Sequence, residues 1–274
     1  MINKNLTGFY PDFLKEIIAK IDGAGYEAYV VGGCLRDVLL GRPPKDYDVA
    51  TSALPGEIID LFGISGDFKT VETGLKYGTV TVISRGNPVE ITTFRLDGSY
   101  FDLRRPDNVS FTQNITEDLS RRDFTINAMA YSVQTGLIDP FDGKNDLESG
   151  KIRAVGNPEK RFTEDALRIL RAFRFVSQLG FDIELSTLGG AFTCRAGLEK
   201  IARERVGAEF QKLVVGRSPR RALDLLIEYD IMPHIFGDFL LDSLVINAIE
   251  LIINDFPLRI GTLQRGYRIF GKDV

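Results

Sequence analysis

The sequence predicts an α+β protein: a small mixed sheet with helices in residues 1–150, followed by an all-helical remainder. Three observations lead there. Up to about residue 150, short apolar, β-branched runs bounded by Gly, Pro and Asn alternate with amphipathic segments. After Pro158 the strand signals stop. Long patterns with apolar residues at helical spacing then dominate, at 163–179, 198–215 and 219–230.

Residues 11–25 read as a helix, with Leu14, Ile17, Ile18 and Ile21 on one face and Gly23 and Gly25 at its end. Tyr29-Val30-Val31 is a short apolar strand running into Gly32-Gly33. Leu35 to Leu40 is a short helix stopped by Gly41 and Pro43-Pro44. Asp46 to Ala50 is a second strand and Pro55 to Phe62 a second helix. Strands at Gly78 to Ile83 and Pro88 to Phe94 are joined by a turn at Arg85-Gly86-Asn87. Leu96 to Thr112 is polar and rich in turn residues, and a loop of that length is functional or mobile. Ile115 to Ala130 is helix-like, and 137–150 reads as an Asp- and Gly-rich loop. The division expected is 1–150 as a head, 151–217 as a helical neck and 218–274 as a partial or diverged helical body.

Composition restricts the chemistry. Of 274 residues, 44% are hydrophobic and 26% charged, the balance of a globular protein. No window approaches 18 uncharged apolar residues, which argues against a membrane span, and the start lacks a signal peptide's apolar core, so a cytoplasmic location is expected. A single histidine, His234, argues against a His-based triad or a multi-His zinc site and reads as structural. Cys34 and Cys194 form no C-x-x-C pair and suit a reducing compartment.

Three constellations carry chemistry. The first is Val31-Gly32-Gly33-Cys34-Leu35-Arg36-Asp37 followed by Asp46-Tyr47-Asp48. Residues two apart on a strand share a face, so Asp46 and Asp48 would stand side by side and repel unless a cation intervenes. Hard, oxygen-liganded Mg²⁺ is the obvious candidate, able to activate a hydroxyl and hold a triphosphate. The glycines allow close backbone approach to a phosphate, and Arg36 adds a cation. Taken singly, D-x-D is a common solvated strand end and Gly-Gly a common turn; no P-loop pattern is present. The second is Glu117 to Ala130, where Arg121-Arg122 taken alone could be a surface basic pair. The third is Thr163 to Phe175, where Thr163 reads as a helix N-cap and Leu167, Leu170, Phe173 and Val176 as a core stripe. Asp165, Arg168, Arg171 and Arg174 recur every three residues, a fan around the helix that taken alone could be surface ion pairing. An Asp beside an Arg can also read a nucleobase: Asp accepts from the exocyclic amine of C or A, and Arg donates to ring nitrogen or carbonyl.

VVGGCLRDVLLGRPPKDYDVAT resembles the signature of the class II nucleotidyltransferases of the polymerase-β superfamily, the group of the tRNA CCA-adding enzymes and the bacterial poly(A) polymerases. The resemblance implies a polymerase-β-like nucleotidyltransferase head, Asp46 and Asp48 as ligands of catalytic Mg²⁺, and Gly33 and Arg36 as contacts to the incoming nucleotide. Glu90 is the candidate third carboxylate, with a solvent-facing strand Glu as the alternative. RRDFTINAMA is similar to the family's second motif, which implies nucleotide contact by Arg122, with Asp123 near the ribose and Asn127 near the site. Glu164-Asp165-Ala166-Leu167-Arg168 is similar to the E-D-x-x-R protein template that selects CTP and then ATP. It implies base reading by Asp165 and Arg168, with Glu164 orienting the arginine and Arg171 and Arg174 as further nucleotide contacts. Glu204 to Gly216 resembles the last shared motif, a structural neck helix.

The implied activity is attack of the tRNA 3′-hydroxyl on the α-phosphorus of CTP or ATP, releasing pyrophosphate. The alternatives are a poly(A) polymerase, which more usually has Pro after the template Asp, and a non-catalytic RNA- or nucleotide-binding fragment. The intact look of loop 96–112 favours full CCA addition over CC-only addition. The resemblance covers roughly residues 8 to 236; 239–274 does not look like the family's tRNA-holding body. The net charge of −4 divides unevenly: −7 over 1–150, +7 over 151–221 and −4 over 222–274. Base is therefore concentrated in the neck, where a triphosphate and an RNA end would approach, and tRNA binding without the usual holding domains is expected to be weak and salt-dependent.

Overall fold

The computed structural model describes residues 6, 8–63, 66–98 and 108–236. The described chain forms two compact units. The first runs up to Ser149 and includes Arg153–Gly156; the second takes Gly150–Ile152 and continues from Asn157.

In the first unit, α1 (Asp12–Gly23) buries Leu14, Ile17, Ile18 and Ile21, the stripe its spacing predicts. It leads to β1 (Ala28–Val31), buried throughout, and directly into α2 (Gly32–Leu39). Then follow β2 (Tyr47–Thr51), α3 (Pro55–Gly63), β3 (Phe68–Gly74), β4 (Thr79–Ser84) and β5 (Asn87–Thr93). β6 (Arg95–Asp97) and β7 (Val109–Phe111) precede α4 (Ile115–Ser120), β8 (Ala130–Ser132), β9 (Gly136–Ile138) and α5 (Gly143–Glu148). Seven strands form one sheet in the order β3-β4-β5-β2-β1-β8-β9. Only β2 and β5 pair in parallel, so the sheet is mixed.

Several elements differ from expectation. β3 gives no apolar alternation because it is an edge strand, none of whose described side chains is fully buried. The expected loop 96–112 has a paired stem, β6 with β7; its middle, 99–107, lies outside the described residues. The helix expected over 115–130 stops at Ser120. The backbone beyond is claimed by a neighbouring segment instead: Thr125 N–H donates to the Arg153 carbonyl at 2.9 Å and Val155 N–H to the Asp123 carbonyl at 3.1 Å. The expected loop 137–150 contains β9 and α5, because the Asp139 carboxylate accepts from the N–H groups of Gly143 and Lys144 and starts a helical turn.

The second unit holds β10 (Lys151–Ile152), α6 (Pro158–Glu164), α7 (Leu167–Leu179), β11 (Asp182–Ile183), α8 (Leu185–Cys194), α9 (Arg203–Val214), α10 (Pro219–Glu228) and α11 (Met232–Phe236). Strands do not end at 158: β10 and β11 form a two-residue parallel pair. The helix expected over 163–179 is two helices, broken where Asp165 is extended (φ −143°, ψ 103°). Thr163 is therefore no N-cap. It sits within α6, its hydroxyl donating to the Glu159 carbonyl at 2.8 Å, while Asn157 caps that helix. Leu167, Leu170, Phe173 and Val176 are buried as predicted. The pattern over 198–215 splits into a 3-10 helix at Arg195–Lys200 and α9. Both cysteines are free. Among the described residues no helix is long and apolar enough to cross a membrane. The segment 239–274 lies outside the described residues.

Candidate active site

In the first unit the site begins at the β1–α2 turn. Gly32 has φ +73°, a conformation other residues rarely adopt. A Cβ there would lie 3.2 Å from Nη1 of Arg122 and 3.4 Å from Oδ2 of Asp48. The backbone thus passes close against a guanidinium and a carboxylate in a conformation that favours glycine. Gly33, the glycine expected at the nucleotide, has ordinary clearance to Arg36, at 3.6 Å.

Asp48 lies in β2, opposite Val31 of β1 on one side and Glu90 of β5 on the other. Asp46 falls one residue before β2 and is exposed, so the two aspartates do not share a strand as expected. Burial pushes the Asp48 carboxyl up to about 6; Arg122 opposes the shift, and the negative fields of Glu90 and Asp46 add to it. Two further carboxylates therefore act on Asp48 where β2 pairs with β5, opposed chiefly by one guanidinium. All are hard oxygen donors, and such a set fits a hard divalent cation. Among the described residues, however, no three His, Cys, Asp or Glu side chains stand close enough to hold one metal ion together. One or two carboxylates suffice for an ion that takes further oxygens from substrate phosphates and water.

Arg122 and Arg36 are held from behind. Asp118, fully buried, accepts from Arg122 Nη2 at 3.1 Å and from Arg121 Nε and Nη2 at 3.0 and 2.7 Å. Its burial favours protonation, but the Arg122 and Arg121 guanidiniums overcome this and hold its carboxyl below the usual range. Asp118 also accepts from the Arg95 backbone N–H at 3.3 Å, tying the β6 stem to the same carboxylate. Arg36 donates to Asn127 Oδ1 at 2.8 Å and to Asp37; Asn127 donates to Asp123 at 3.1 Å. Asp123 and Asn127 are thus brought into contact, as a support behind Arg36.

In the second unit the expected base-reading residues form another cluster. Glu164 accepts from Arg168 Nη1 and from Arg161 Nη1, each at 2.8 Å. Arg168 also donates to the Arg161 carbonyl at 3.1 Å. Asp165 accepts from Leu167 N–H at 3.1 Å and from Arg205 Nη2 at 2.9 Å. Its carboxyl is raised, burial outweighing the opposing influence of Arg205. Further along α7, Arg174 pairs with buried Glu209 at 3.2 Å and lies over the Phe175 ring; Arg171 is half-buried on the helix between Arg168 and Arg174. The cluster presents carboxylate acceptors and guanidinium donors whose orientations are already fixed, the requirement for reading a base edge.

The sequence assigns no individual role to three residues here: Asp118, Arg161 and Arg205. They act through partners distant in sequence or through side-chain direction, which no local pattern reports. Gly32 is expected from the sequence, with Gly33, as a glycine that allows close backbone approach.

Residues 28–153 match the family described as the poly A polymerase head domain, and residues 180–240 the one described as a probable RNA and SrmB-binding site of polymerase A. The CCA-adding enzyme of Leuconostoc citreum is 50% identical over 221 residues, 81% of this chain and 54% of that protein. The crystal structure of the Bacillus stearothermophilus CCA-adding enzyme in complex with CTP superposes with a TM-score of 0.75 at 41% identity, over 87% of this chain and 56% of that one. The Thermotoga maritima CCA-adding enzyme complexed with tRNA gives a TM-score of 0.73 at 26% identity, over 90% of this chain and 58% of that one. The chain spans about half the length of the curated relatives it matches. With the head at 28–153 and the RNA-binding segment at 180–240, it belongs to the class II tRNA nucleotidyltransferase and bacterial poly(A) polymerase family.

Proposed function

We propose that this chain is the catalytic and base-selecting part of a tRNA nucleotidyltransferase that adds C, C and A to the tRNA 3′ end from CTP and ATP. The observation that carries this reading is the acceptor and donor pair of Asp165 and Arg168, each held by its own partner. It matches the pairing edges of C and A, where an exocyclic amine stands beside a ring-nitrogen acceptor, and not those of U and G, where a carbonyl stands beside a ring N–H. The relatives above, CCA-adding enzymes with solved structures bound to CTP and to tRNA, favour CCA addition over poly(A) synthesis.

The 3′-hydroxyl oxygen bonds to the α-phosphorus as the bond to the β-phosphate breaks and pyrophosphate leaves. Asp46 and Asp48 are the proposed metal ligands, with Glu90 beside Asp48 as a third carboxylate. The bound ion, Mg²⁺ in this proposal, supplies hydroxyl activation and neutralises triphosphate charge. Gly32 and Gly33 let the backbone approach the phosphates. Arg36 and Arg122, each braced by a carboxylate, present fixed positive charge to them. Arg171 and Arg174 of α7 are proposed as further nucleotide contacts. No histidine is needed, because the chemistry is positioning plus electrostatics. The cytoplasm, where the free cysteines stay reduced, is the proposed location.

The test is extension of tRNA lacking CCA, and of generic RNA, with products sequenced. The expected product is tRNA ending in CCA. Asp46→Ala and Asp48→Ala should each lower incorporation by about a thousandfold or more while CTP still binds. Tailing of generic RNA with A alone would favour the polymerase alternative; nucleotide binding with no product would favour a non-catalytic fragment.

A further inference from the structure

We infer that Arg205 is a specificity-positioning residue: its guanidinium keeps Asp165 a fixed, acceptor-only carboxylate, so that the site takes amine-bearing bases and refuses their carbonyl counterparts. The inference rests on the base-reading role proposed above for Asp165 and Arg168.

The geometry comes first. Asp165 sits at the break between α6 and α7, the one extended residue joining them. One of its oxygens accepts from Leu167 N–H at 3.1 Å, which fixes the side chain against the start of α7. The other accepts from Arg205 Nη2 at 2.9 Å. Arg205 reaches it from the first turn of α9, 40 residues away in sequence. Both side chains are largely enclosed, Asp165 15% and Arg205 21% exposed. Neither oxygen is saturated by one bond, since a carboxylate oxygen carries two lone pairs, so a base amine can still be received.

The chemistry follows from a single proton. An ionised carboxylate only accepts and so pairs with the exocyclic amine of C or A. A carboxylic acid can donate and so pairs with the carbonyl that U or G carries at the corresponding position. Protonation of Asp165 would therefore invert the reading of the base. Burial drives the group towards that proton, and its carboxyl is raised accordingly. Two described cations face it. Arg205, from α9, is the stronger opposing influence; Arg168, on α7, is weaker and committed to Glu164. Arg205 thus carries most of the task of keeping Asp165 ionised.

The test measures CTP and UTP affinity of the full chain by equilibrium titration at pH 6 and pH 8, for wild type, Arg205→Gln, Arg205→Lys and Asp165→Ala. Thermal unfolding accompanies each, and Arg205→Met replaces the Gln variant if that fails to fold. The Gln variant should lose about tenfold or more of the CTP preference at pH 6, recovering towards wild type at pH 8; each unit of lost pKa control is a factor of ten in protonation. The Lys variant, which keeps the charge, should retain the wild-type ratio. Equal weakening of CTP and UTP in the Gln variant, a ratio independent of pH, or equal losses in Gln and Lys would overturn the inference. Asp165→Ala separates the two levels. If it leaves the ratio unchanged, the base-reading role itself fails; if it collapses the ratio and Arg205→Gln does not, only the role of Arg205 fails.

Discussion

The candidate clusters of the two units differ in how their carboxylates are compensated. In the second, each carboxylate of the proposed base-reading cluster has a cationic partner: Glu164 with Arg161 and Arg168, Asp165 with Arg205, Glu209 with Arg174 and Lys212. In the first, Asp48 shares its surroundings with Glu90 and Asp46 and is opposed chiefly by Arg122, itself tied to Asp118. The neck cluster is compensated and rigid, suited to presenting a fixed pattern of donors and acceptors. The head edge carries surplus negative charge, suited to receiving a cation. In the proposed reading, the site that would take a metal is left electrically unfinished, whereas the one that would discriminate bases is completed in advance.

The sharpest way to break this contrast is to remove compensation where the head has it. Asp118→Ala leaves Arg121 and Arg122, 16% and 18% exposed, without their shared carboxylate. Loss of one partner from a buried pair costs about 3–5 kcal/mol, and urea unfolding should show a loss of that size together with weaker triphosphate binding. A loss under about 1 kcal/mol would mean that these guanidiniums, of which Arg121 also faces Asp97 at 3.7 Å, do not depend on Asp118 for compensation.

The converse substitution should stabilise. The Asp48 carboxyl rises from 3.8 to about 6 on folding. A raised acid means that the folded state holds the proton more tightly. Metal-free stability therefore falls as pH rises from about 4 to about 6 and stays lower above that. Asp48→Asn removes the ionising group. In chelator it should exceed wild type by about 1–3 kcal/mol at pH 7, with no gain at pH 4. Added divalent metal should reverse the order at pH 7 by stabilising wild type alone. Equal stability of the two proteins in chelator at pH 7 would contradict the rise of the Asp48 carboxyl, which burial drives and the neighbouring carboxylates increase.

Much of this was legible because it is local. The Gly-Gly turn after an apolar strand and the apolar stripe of α7 each depend on residues close in sequence, whereas the shared strand face expected of Asp46 and Asp48 failed because β2 begins only at Tyr47. What escaped was set by long-range pairing. The edge strand β3 has too little burial to show a period, and periodicity ran unbroken across Asp165 although the backbone does not. The segment after Ser120 carried helical spacing but gave its backbone bonds to Arg153 and Val155. Arg205 read as part of a structural helix, and only the fold shows that its guanidinium meets Asp165.

The most direct measurement is incorporation of each of the four nucleoside triphosphates into tRNA lacking CCA by wild type and by Asp165→Ala/Arg168→Ala. If the head supplies chemistry and the neck supplies choice, the double variant retains incorporation while its preference for CTP and ATP over UTP and GTP falls by about ten- to a hundredfold, the value of one or two base-edge contacts. Unchanged selectivity in the double variant would contradict that division of labour.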